Sequence, residues 1–270
     1  MVNGEKIGFV GGGNMAEAFI NGLINAGAKK ENIRFFEPNP DRRQHIVDAY
    51  GVEPAVDNDA LAAWAGTLVL AIKPQIVKKV LKPLRNSIRR EQLIISILAG
   101  VATSTLEELL GDEVRVVRAM PNTPALVDAA ASAICPGAYV ADGDLDKAAS
   151  LFRSVGTVRV VTEDQMDAVT GLSGSGPAYV FTVIEALAAA GVQQGLRLDV
   201  AHELATQTVF GAAKLLKETG EHPALLREKV CSPGGTTIAA IRVLEERGLR
   251  ASLMEAVAAA TRRSEELGRE

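Results

Sequence analysis

The sequence predicts an α/β + all-α protein, with a doubly wound parallel sheet in the first part and helices alone in the second. Three observations predict this class. A glycine-rich turn follows the first apolar strand, short apolar runs alternate with helical patterns as far as Glu163, and only Ala/Leu-rich helical patterns follow. A chain of 270 residues is long enough for two domains. We therefore expect one domain at residues 1–163 and a second at 164–270.

The glycine-rich turn has the spacing of a nucleotide-binding loop. A strand at residues 6–10 precedes Gly11, Gly13 and Ala16, which fill the small-residue positions of G-x-G-x-x-A. Gly11 permits the tight turn, Gly13 lets a pyrophosphate approach the backbone, and Ala16 lets the next helix pack closely on the strand. That helix, Ala16–Ala26, directs its N-terminal N–H groups at the phosphates. The sequence thus predicts a Rossmann-like dinucleotide site, the alternative being a glycine turn without a ligand.

The remaining elements follow the same two patterns. Apolar runs predict further strands at 33–36, 67–72, 93–97 and 114–118, with weaker ones at 132–135 and 158–161. Helical periodicity predicts helices at 40–50, 145–154, 179–191, 199–219, 235–247 and 251–266. Several of the last four are apolar nearly all round, which requires burial. We therefore expect the second domain to hide part of this surface in a partner chain and to build a homo-oligomer.

Composition argues against several kinds of partner. A net charge of −4 and 4% aromatic residues do not suit nucleic acid. We expect no membrane partner, since no apolar run looks long enough to span a bilayer and the first strand leaves no room for a signal peptide. Two distant cysteines, Cys135 and Cys231, suit a reducing cytoplasm, and the three histidines lack metal-ligand spacing. We expect a cytoplasmic protein with no metal.

The cofactor's adenosine end is expected near the second strand. Glu37 stands where an acidic residue usually holds the ribose 2′-hydroxyl of NAD. Asn39, Arg42 and Arg43 follow, and guanidinium groups suit the 2′-phosphate of NADP. The alternative for both arginines is a solvated first helical turn. The balance favours NADPH, with NADH also open.

Two further loops lie at the carboxyl ends of predicted strands, the edge at which open α/β sheets bind ligands. These are Ala71–Pro74 and Leu98–Gly100, expected beside the nicotinamide. Lys73 is a candidate catalytic acid, a substrate-carboxylate ligand or a solvated residue. The expected cofactor-binding residues are Gly11, Gly13, Asn14, Met15, Glu37, Asn39, Arg42, Asn58, Ala71, Lys73, Pro74, Ala99 and Gly100.

Three more segments are unusually specific. They are Arg118–Pro124 (RAMPNTP), Gly171–Tyr179 (GLSGSGPAY) and Ser232–Ile238 (SPGGTTI). With the glycine fingerprint, in this order and spacing, they resemble pyrroline-5-carboxylate reductase along essentially the whole chain. The resemblance implies hydride transfer from a nicotinamide to the C=N carbon of a small cyclic imine carboxylate, giving L-proline. It also implies that the helical domain binds substrate and forms a homodimer or a larger assembly of dimers.

The residues of the third segment suit that chemistry. Ser232–Gly235 opens a helix whose free N–H groups would bind a carboxylate, and the glycines allow close approach. Thr237 is the candidate hydroxyl for the ring nitrogen, with Thr236 adjacent. A Ser N-cap followed by Pro at N1 would explain Ser232 and Pro233 but not two glycines. The expected substrate-binding residues are Ser232, Gly234, Gly235, Thr236, Thr237 and Ser175, and the catalytic candidates are Thr237 and Lys73.

The Gly171–Pro177 stretch is interpreted as a wall against cofactor and substrate, with Ser173 and Ser175 as donors, or else as a hinge or close helix crossing. Two rival functions stay open. A 3-hydroxyacid dehydrogenase would need a lysine and an asparagine where this chain has Val180 and Ile184. A redox sensor would bind NADP without turnover, but it has no use for a second anion site.

Overall fold

The computed structural model describes residues 4–111 and 113–269. Within them, eight strands form one sheet in the order β3-β2-β1-β4-β5-β6-β7-β8. The strands are β1 Ile7–Val10, β2 Ile33–Phe36, β3 Glu53–Pro54, β4 Thr67–Leu70, β5 Leu93–Ser96, β6 Arg115–Met120, β7 Ala130–Pro136 and β8 Gly156–Val160. All neighbouring pairs are parallel except β6 and β7.

Twelve α-helices lie within the same described ranges. They are α1 Asn14–Asn25, α2 Pro40–Tyr50, α3 Asn58–Trp64, α4 Val77–Leu84, α5 Thr103–Leu110, α6 Asp144–Arg153, α7 Met166–Val169, α8 Gly176–Gln193, α9 Leu198–Thr219, α10 Pro223–Lys229, α11 Thr236–Glu246 and α12 Leu249–Arg269. A π-helical turn, Thr170–Gly174, stands between α7 and α8. Helices α3, α5, α7 and α10, strand β3 and the π turn were not predicted from the sequence, whereas a helix was expected after Pro74, where α4 lies.

The parallel strands bury both faces, which explains their continuous apolar sequences. Phe9 on β1 belongs to a core with Phe19 of α1 and Phe152 of α6, whose rings pack edge to face at 4.9 Å. The next β1 residue, Val10, belongs to a second core with Leu81 of α4 and Leu106 of α5. Side chains of a strand alternate between faces. Helices therefore cover both sides of the sheet, and the predicted fold class is confirmed.

The chain divides into two compact units, Met1–Ser175 with Ala258–Glu270, and Gly176–Val257. The predicted boundary after residue 163 differs from this division in two ways. The first unit continues through the π turn, and the end of α12 returns to it because Ser264 is buried and bonded to Asp167. The assignment of cofactor binding to residues 1–163 and of substrate binding and dimerisation to residues 164–270 stays a prediction.

The helices of the second unit expose apolar side chains rather than burying them. Among the 18 residues of α8 only Ala188 is buried, while Phe181 is 63% exposed. On α9, Phe210 is 59% exposed. Helices this apolar require a covering surface, so the expectation that they are buried is not met within a single chain.

One described helix, Glu163–Gln193, is long and apolar enough to cross a membrane by length and composition alone. An 18-residue stretch of this helix has a mean hydropathy of 1.3, and 6% of that stretch is buried. The sequence analysis did not anticipate it, because the apolar run crosses the glycine-rich stretch that we interpreted as an interruption. In the structure that stretch is π-helical and the helix is continuous through it.

Candidate active site

The turn after β1 has the geometry that the fingerprint predicts. Gly11 has φ +99°, and a Cβ there would lie 2.5 Å from the Ala71 carbonyl oxygen, so only glycine is accommodated. Gly13 is the N-cap of α1, makes no side-chain cap and has open space where a Cβ would stand. Asn14 and Met15 begin the helix. The free N–H groups of this first turn face an uncrowded surface that suits a phosphate.

Four parallel strands end in register beside this turn. Val10 of β1 pairs with Phe36 of β2 and with Leu70 of β4, and Leu70 pairs with Ser96 of β5. The residues that follow each strand therefore meet at one sheet edge. This edge brings together the predicted residues Gly11, Gly13, Glu37, Ala71, Lys73, Pro74, Ala99 and Gly100.

The side chain of Lys73 is exposed and makes no hydrogen bond or ion pair with any residue that the structure describes. It precedes the short 3-10 turn that opens at Pro74. The main chain before it is fixed, since the Ala71 N–H donates to the Val10 carbonyl at 2.9 Å. Lys73 thus places an ammonium group without a bonding partner among the described residues on a fixed loop at the sheet edge.

The half-buried carboxylate of Glu37 is held by the main chain. It accepts the Gly12 N–H and the Asn39 N–H, each at 2.9 Å. A Cβ on Gly12 would lie 2.9 Å from the Glu37 Cβ. The carboxylate therefore sits directly beside the phosphate turn, where an acidic side chain meets a ribose in NAD-type sites.

All three predicted ligands of the 2′-phosphate are bonded within the protein. Arg43 Nη1 donates to the Glu37 carbonyl at 3.0 Å, and Asn39 and Arg42 are bonded closer to the phosphate turn. Asn39 Oδ1 caps α2 by accepting the N–H groups of Asp41 and Arg42, at 3.0 and 3.1 Å. Arg42 Nε donates to the Gly12 carbonyl at 2.7 Å, and Arg42 Nη2 pairs with Glu17. The structure thus places both residues beside the turn, with Arg42 already oriented by α1.

Sequence reasoning missed Glu17. Its carboxylate binds Arg42, the Tyr50 hydroxyl at 3.0 Å and the His45 Nε2 at 2.9 Å. Burial by itself would raise the pKa of Glu17, but these hydrogen bonds outweigh burial and hold the pKa below its usual value. Burial is the larger cause that raises the pKa of Tyr50, and the hydrogen bond from its hydroxyl to Glu17 raises it further. No local pattern identifies Glu17, since its partners lie 25 to 33 residues away.

Asn58, at the start of α3, carries a buried Oδ1 atom without a hydrogen-bond partner. Buried polar atoms are normally satisfied. An orphaned amide oxygen near the sheet edge fits a residue that bonds a ligand, as does the open space above Gly13. The residues present therefore fit a bound dinucleotide.

Asn122 of the RAMPNTP segment meets Ser173 of the GLSGSGPAY segment in the first unit. Asn122 Nδ2 donates to the Ser173 carbonyl at 3.0 Å, and Asn122 Oδ1 accepts the Ala131 N–H at 3.0 Å. The Ser173 hydroxyl bonds the Val169 carbonyl at 3.2 Å, so it is not a free donor. Ser175 closes the π turn through its N–H to the Thr170 carbonyl at 2.8 Å. Single π turns occur frequently at functional sites, and the role of Asn122 in holding this one was missed.

The SPGGTTI segment forms an uncapped helix start in the second unit. Gly235, not Ser232, is the N-cap of α11, and no side chain caps this helix. The alternative of a Ser N-cap with Pro at N1 is therefore wrong, because the helix begins three residues later. Gly234 has φ +68°, and a Cβ on Gly235 would collide with the Ser232 hydroxyl. The Thr236 and Thr237 hydroxyls make no hydrogen bond with the described part of the chain.

Cys135 is buried on β7, and burial with the nearby Glu163 charge, opposed by Arg118, raises its pKa to about 11. Such a thiol is a packed residue rather than a nucleophile. Among the described residues, no group of three or more His, Cys, Asp or Glu side chains could hold a metal ion.

The fold and this site define a class of protein, the dinucleotide-dependent oxidoreductases that join a Rossmann-like domain to a helical domain. Family models agree for both parts. One described as pyrroline-5-carboxylate reductase dimerisation matches residues 163–267, and one described as NADP oxidoreductase, coenzyme F420-dependent, matches residues 6–100.

Whole-chain relatives are more specific. Pyrroline-5-carboxylate reductase of Synechocystis sp. is 48% identical over 268 residues, 98% of each chain. The Coxiella burnetii enzyme structure superposes with a TM-score of 0.92 at 41% identity, covering 97% of this chain and 98% of that one. The Plasmodium falciparum pyrroline carboxylate reductase with NADP bound gives 0.89 at 33% identity, covering 98% of each chain. The chain belongs to the pyrroline-5-carboxylate reductase family, which confirms the resemblance.

Proposed function

We propose that this chain reduces the C=N bond of Δ1-pyrroline-5-carboxylate to give L-proline, with NADPH as the hydride donor. The observation that carries the proposal is that two of the family's sequence motifs, GGGNMA and SPGGTTI, each form a helix start with a glycine N-cap and no side-chain cap, at Gly13 and at Gly235. Dinucleotide binding accounts for the first. The second is an anion site of the right kind for the substrate carboxylate.

The protein's part in this reaction is positioning. The bound cofactor supplies the hydride. The first turn of α11 holds the substrate carboxylate through N–H groups that no side chain occupies, and Gly234 and Gly235 let it approach the backbone. Thr237 donates to or accepts from the ring nitrogen, with Thr236 as the adjacent alternative. An iminium nitrogen needs no strong enzymic acid, so orientation of the two reactants is the main requirement.

Further residues complete the proposed site. Ser175 contributes a donor at the end of the π turn, and Lys73 contributes a positive charge beside the nicotinamide as a catalytic or carboxylate-binding group. Gly11, Gly13, Asn14, Met15, Glu37, Asn39, Arg42, Asn58, Ala71, Pro74, Ala99 and Gly100 hold the cofactor. Support for the NADPH preference is that Arg42 is fixed beside the phosphate turn, where its guanidinium meets the 2′-phosphate.

We also propose that the chain works as a homodimer or an assembly of dimers in the cytoplasm. The exposed apolar surface of α8 and α9 supports a second copy as its cover. In this proposal that second copy, rather than a bilayer, also covers the Glu163–Gln193 helix. The net charge of −4 gives no support for a nucleic-acid partner.

A steady-state assay with Δ1-pyrroline-5-carboxylate, run in parallel with NADPH and NADH, tests the function. We expect turnover with both cofactors and a higher kcat/KM with NADPH. Measurable NADPH binding without turnover would overturn the reductase and favour the redox sensor. Oxidation of 3-hydroxyacids instead would favour the dehydrogenase, although Val180 and Ile184 on α8 offer no proton acceptor.

A further inference from the structure

The end of α12 lies directly against the loop that follows β5. Gly100 in this loop has φ +72°, and a Cβ on it would lie 3.3 Å from the Gly268 nitrogen and from the Leu267 Cβ. A Cβ on Gly268 would lie 2.9 Å from the Gly100 carbonyl oxygen. The two main chains therefore touch with no side chain between them. Both positions accept only glycine without a shift of the loop or of the helix.

A buried hydrogen bond fixes the same end of α12 one turn earlier. Ser264 is 3% exposed, and its hydroxyl donates to Asp167 Oδ1 at 2.6 Å. Residues four apart share one helix face, so Ser264 and Gly268 present the same face to the first unit. Two contacts on one face fix both the rotation and the position of the helix end.

The same cluster reaches the other end of the loop. Glu163 accepts the Thr103 N–H at 2.8 Å and the Thr103 hydroxyl, at the start of α5. The buried Arg118 lies 3.2 Å from Glu163 and 3.8 Å from Asp167. The loop is therefore held at Gly100 by α12 and at Thr103 by Glu163, and Arg118 links the two anchors.

We propose that the last turns of α12, through Ser264, Leu267 and Gly268, position the Ala99–Gly100 loop and thereby the nicotinamide end of the cofactor. The inference rests on the proposed function in one respect, that this loop lines the nicotinamide. The helix does not touch the cofactor. It fixes the main chain of the loop that contacts the cofactor. The loop is therefore already ordered before the cofactor binds, and less conformational entropy is lost on binding.

Three variants test the inference in the full chain. Gly268→Val forces the helix end and the loop apart, Gly268→Ala does so by one methyl group, and Ser264→Ala removes the buried hydrogen bond. Gly66→Ala is the control, because it makes the same exchange where a Cβ would have only ordinary contacts, at 3.7 Å or more.

The measurements are the Kd for NADPH and hydrogen exchange of residues 97–103 in the cofactor-free protein. We expect Gly268→Val to raise the Kd about five- to tenfold and to speed exchange in that segment. Gly268→Ala and Ser264→Ala should raise the Kd and speed exchange by less, and Gly66→Ala should change neither. If Gly268→Val does not fold, the two milder variants decide.

An unchanged Kd with unchanged exchange at residues 97–103 would overturn the inference. So would a lower thermal midpoint with an unchanged Kd, because that is the result of a merely structural contact. Neither measurement uses the imine, so failure of the wild-type protein to reduce it would leave this test intact and would refute the proposed function alone.

Discussion

The polar side chains of the proposed site differ in whether they already form hydrogen bonds within the chain. Arg42, Asn39 and Glu37 are bonded to neighbouring groups, whereas Lys73, Thr236 and Thr237 make no side-chain hydrogen bond with the described residues. Side chains that are hydrogen-bonded within the chain are oriented before a ligand binds, and side chains without such bonds are available to the substrate. Residue substitutions should therefore affect cofactor and substrate separately.

Thr237→Ala should lower kcat by about tenfold or more and leave the Kd for NADPH unchanged, because it removes a hydrogen bond made to the reacting ring. Steady-state kinetics and cofactor titration measure the two quantities. Thr237→Ser keeps the hydroxyl and should restore most of kcat. A loss confined to cofactor affinity would show that the assigned role is wrong.

Arg42→Ala should raise the Kd for NADPH by about tenfold and change the Kd for NADH by less than about twofold, since a charge-assisted bond to phosphate is worth roughly 1.5–3 kcal/mol. Isothermal titration with each cofactor gives both values. Arg90→Ala serves as a control, because Arg90 pairs with Glu113 on another part of the surface. Equal losses for NADPH and NADH would remove Arg42 from the 2′-phosphate site.

Cys135 should resist iodoacetamide at about pH 8 in the native protein, since its pKa is raised to about 11 and the thiolate is the reactive form. Mass spectrometry of a Cys231→Ser variant should find no label until denaturant is added. Because the pKa of Cys135 in the folded protein lies above the usual thiol value of 9.0, its contribution to the free energy of unfolding is complete below about pH 9 and is lost as pH rises towards 11. Rapid native labelling would contradict this account.

At the scale of elements, α1 and α11 have a glycine N-cap where polar N-caps are usual, as α6 also has at Gly143. The first turns of α1 and α11 keep their N–H groups uncovered. A polar N-cap normally stabilises a helix by about 0.5–2 kcal/mol, so both helices forgo that stabilisation at positions where the proposed ligands are anionic.

Gly235→Ala should raise the KM for the imine by about tenfold and leave the Kd for NADPH unaltered, because the new Cβ collides with the Ser232 hydroxyl and distorts the carboxylate turn. Kinetics with varied imine and fixed NADPH give the KM. The control is Gly66→Ala, where a Cβ would make only ordinary contacts, at 3.7 Å or more, before β4. An increase in the Kd for NADPH alone would place Gly235 elsewhere.

The whole molecule is incomplete as a single chain, since its helical unit exposes large apolar side chains such as Phe181 and Phe210. Gly13→Val and Thr237→Ala proteins, each of strongly reduced activity, should regain activity when mixed and allowed to exchange subunits if each site draws on two chains. Random pairing restores roughly a quarter of the wild-type sites. Each variant mixed with itself is the control. No recovery after proven exchange, or a monomer by light scattering, would refute shared sites.

Much of the sheet could be predicted from the sequence, because its signals are local. Strand β2 and helix α2 fall at the predicted residues, and β1 lies within one residue at its start. Strand β3 was missed since it has only two residues, and the antiparallel direction of β7 was not assigned, since direction depends on which neighbour it pairs with. Helix α11 begins one residue later than predicted, because Gly235 serves as its N-cap.

The sequence by itself determined the class of fold, the phosphate turn and the family, because small residues at fixed spacing and continuous apolar runs act over a few residues. Only the tertiary structure decided what those residues meet. It pairs Arg42 with Glu17, Asn122 with the π turn, and Gly100 with Gly268. These contacts join residues 25 to more than 160 positions apart, and no local pattern encodes a partner at that distance. They depend on how the elements pack.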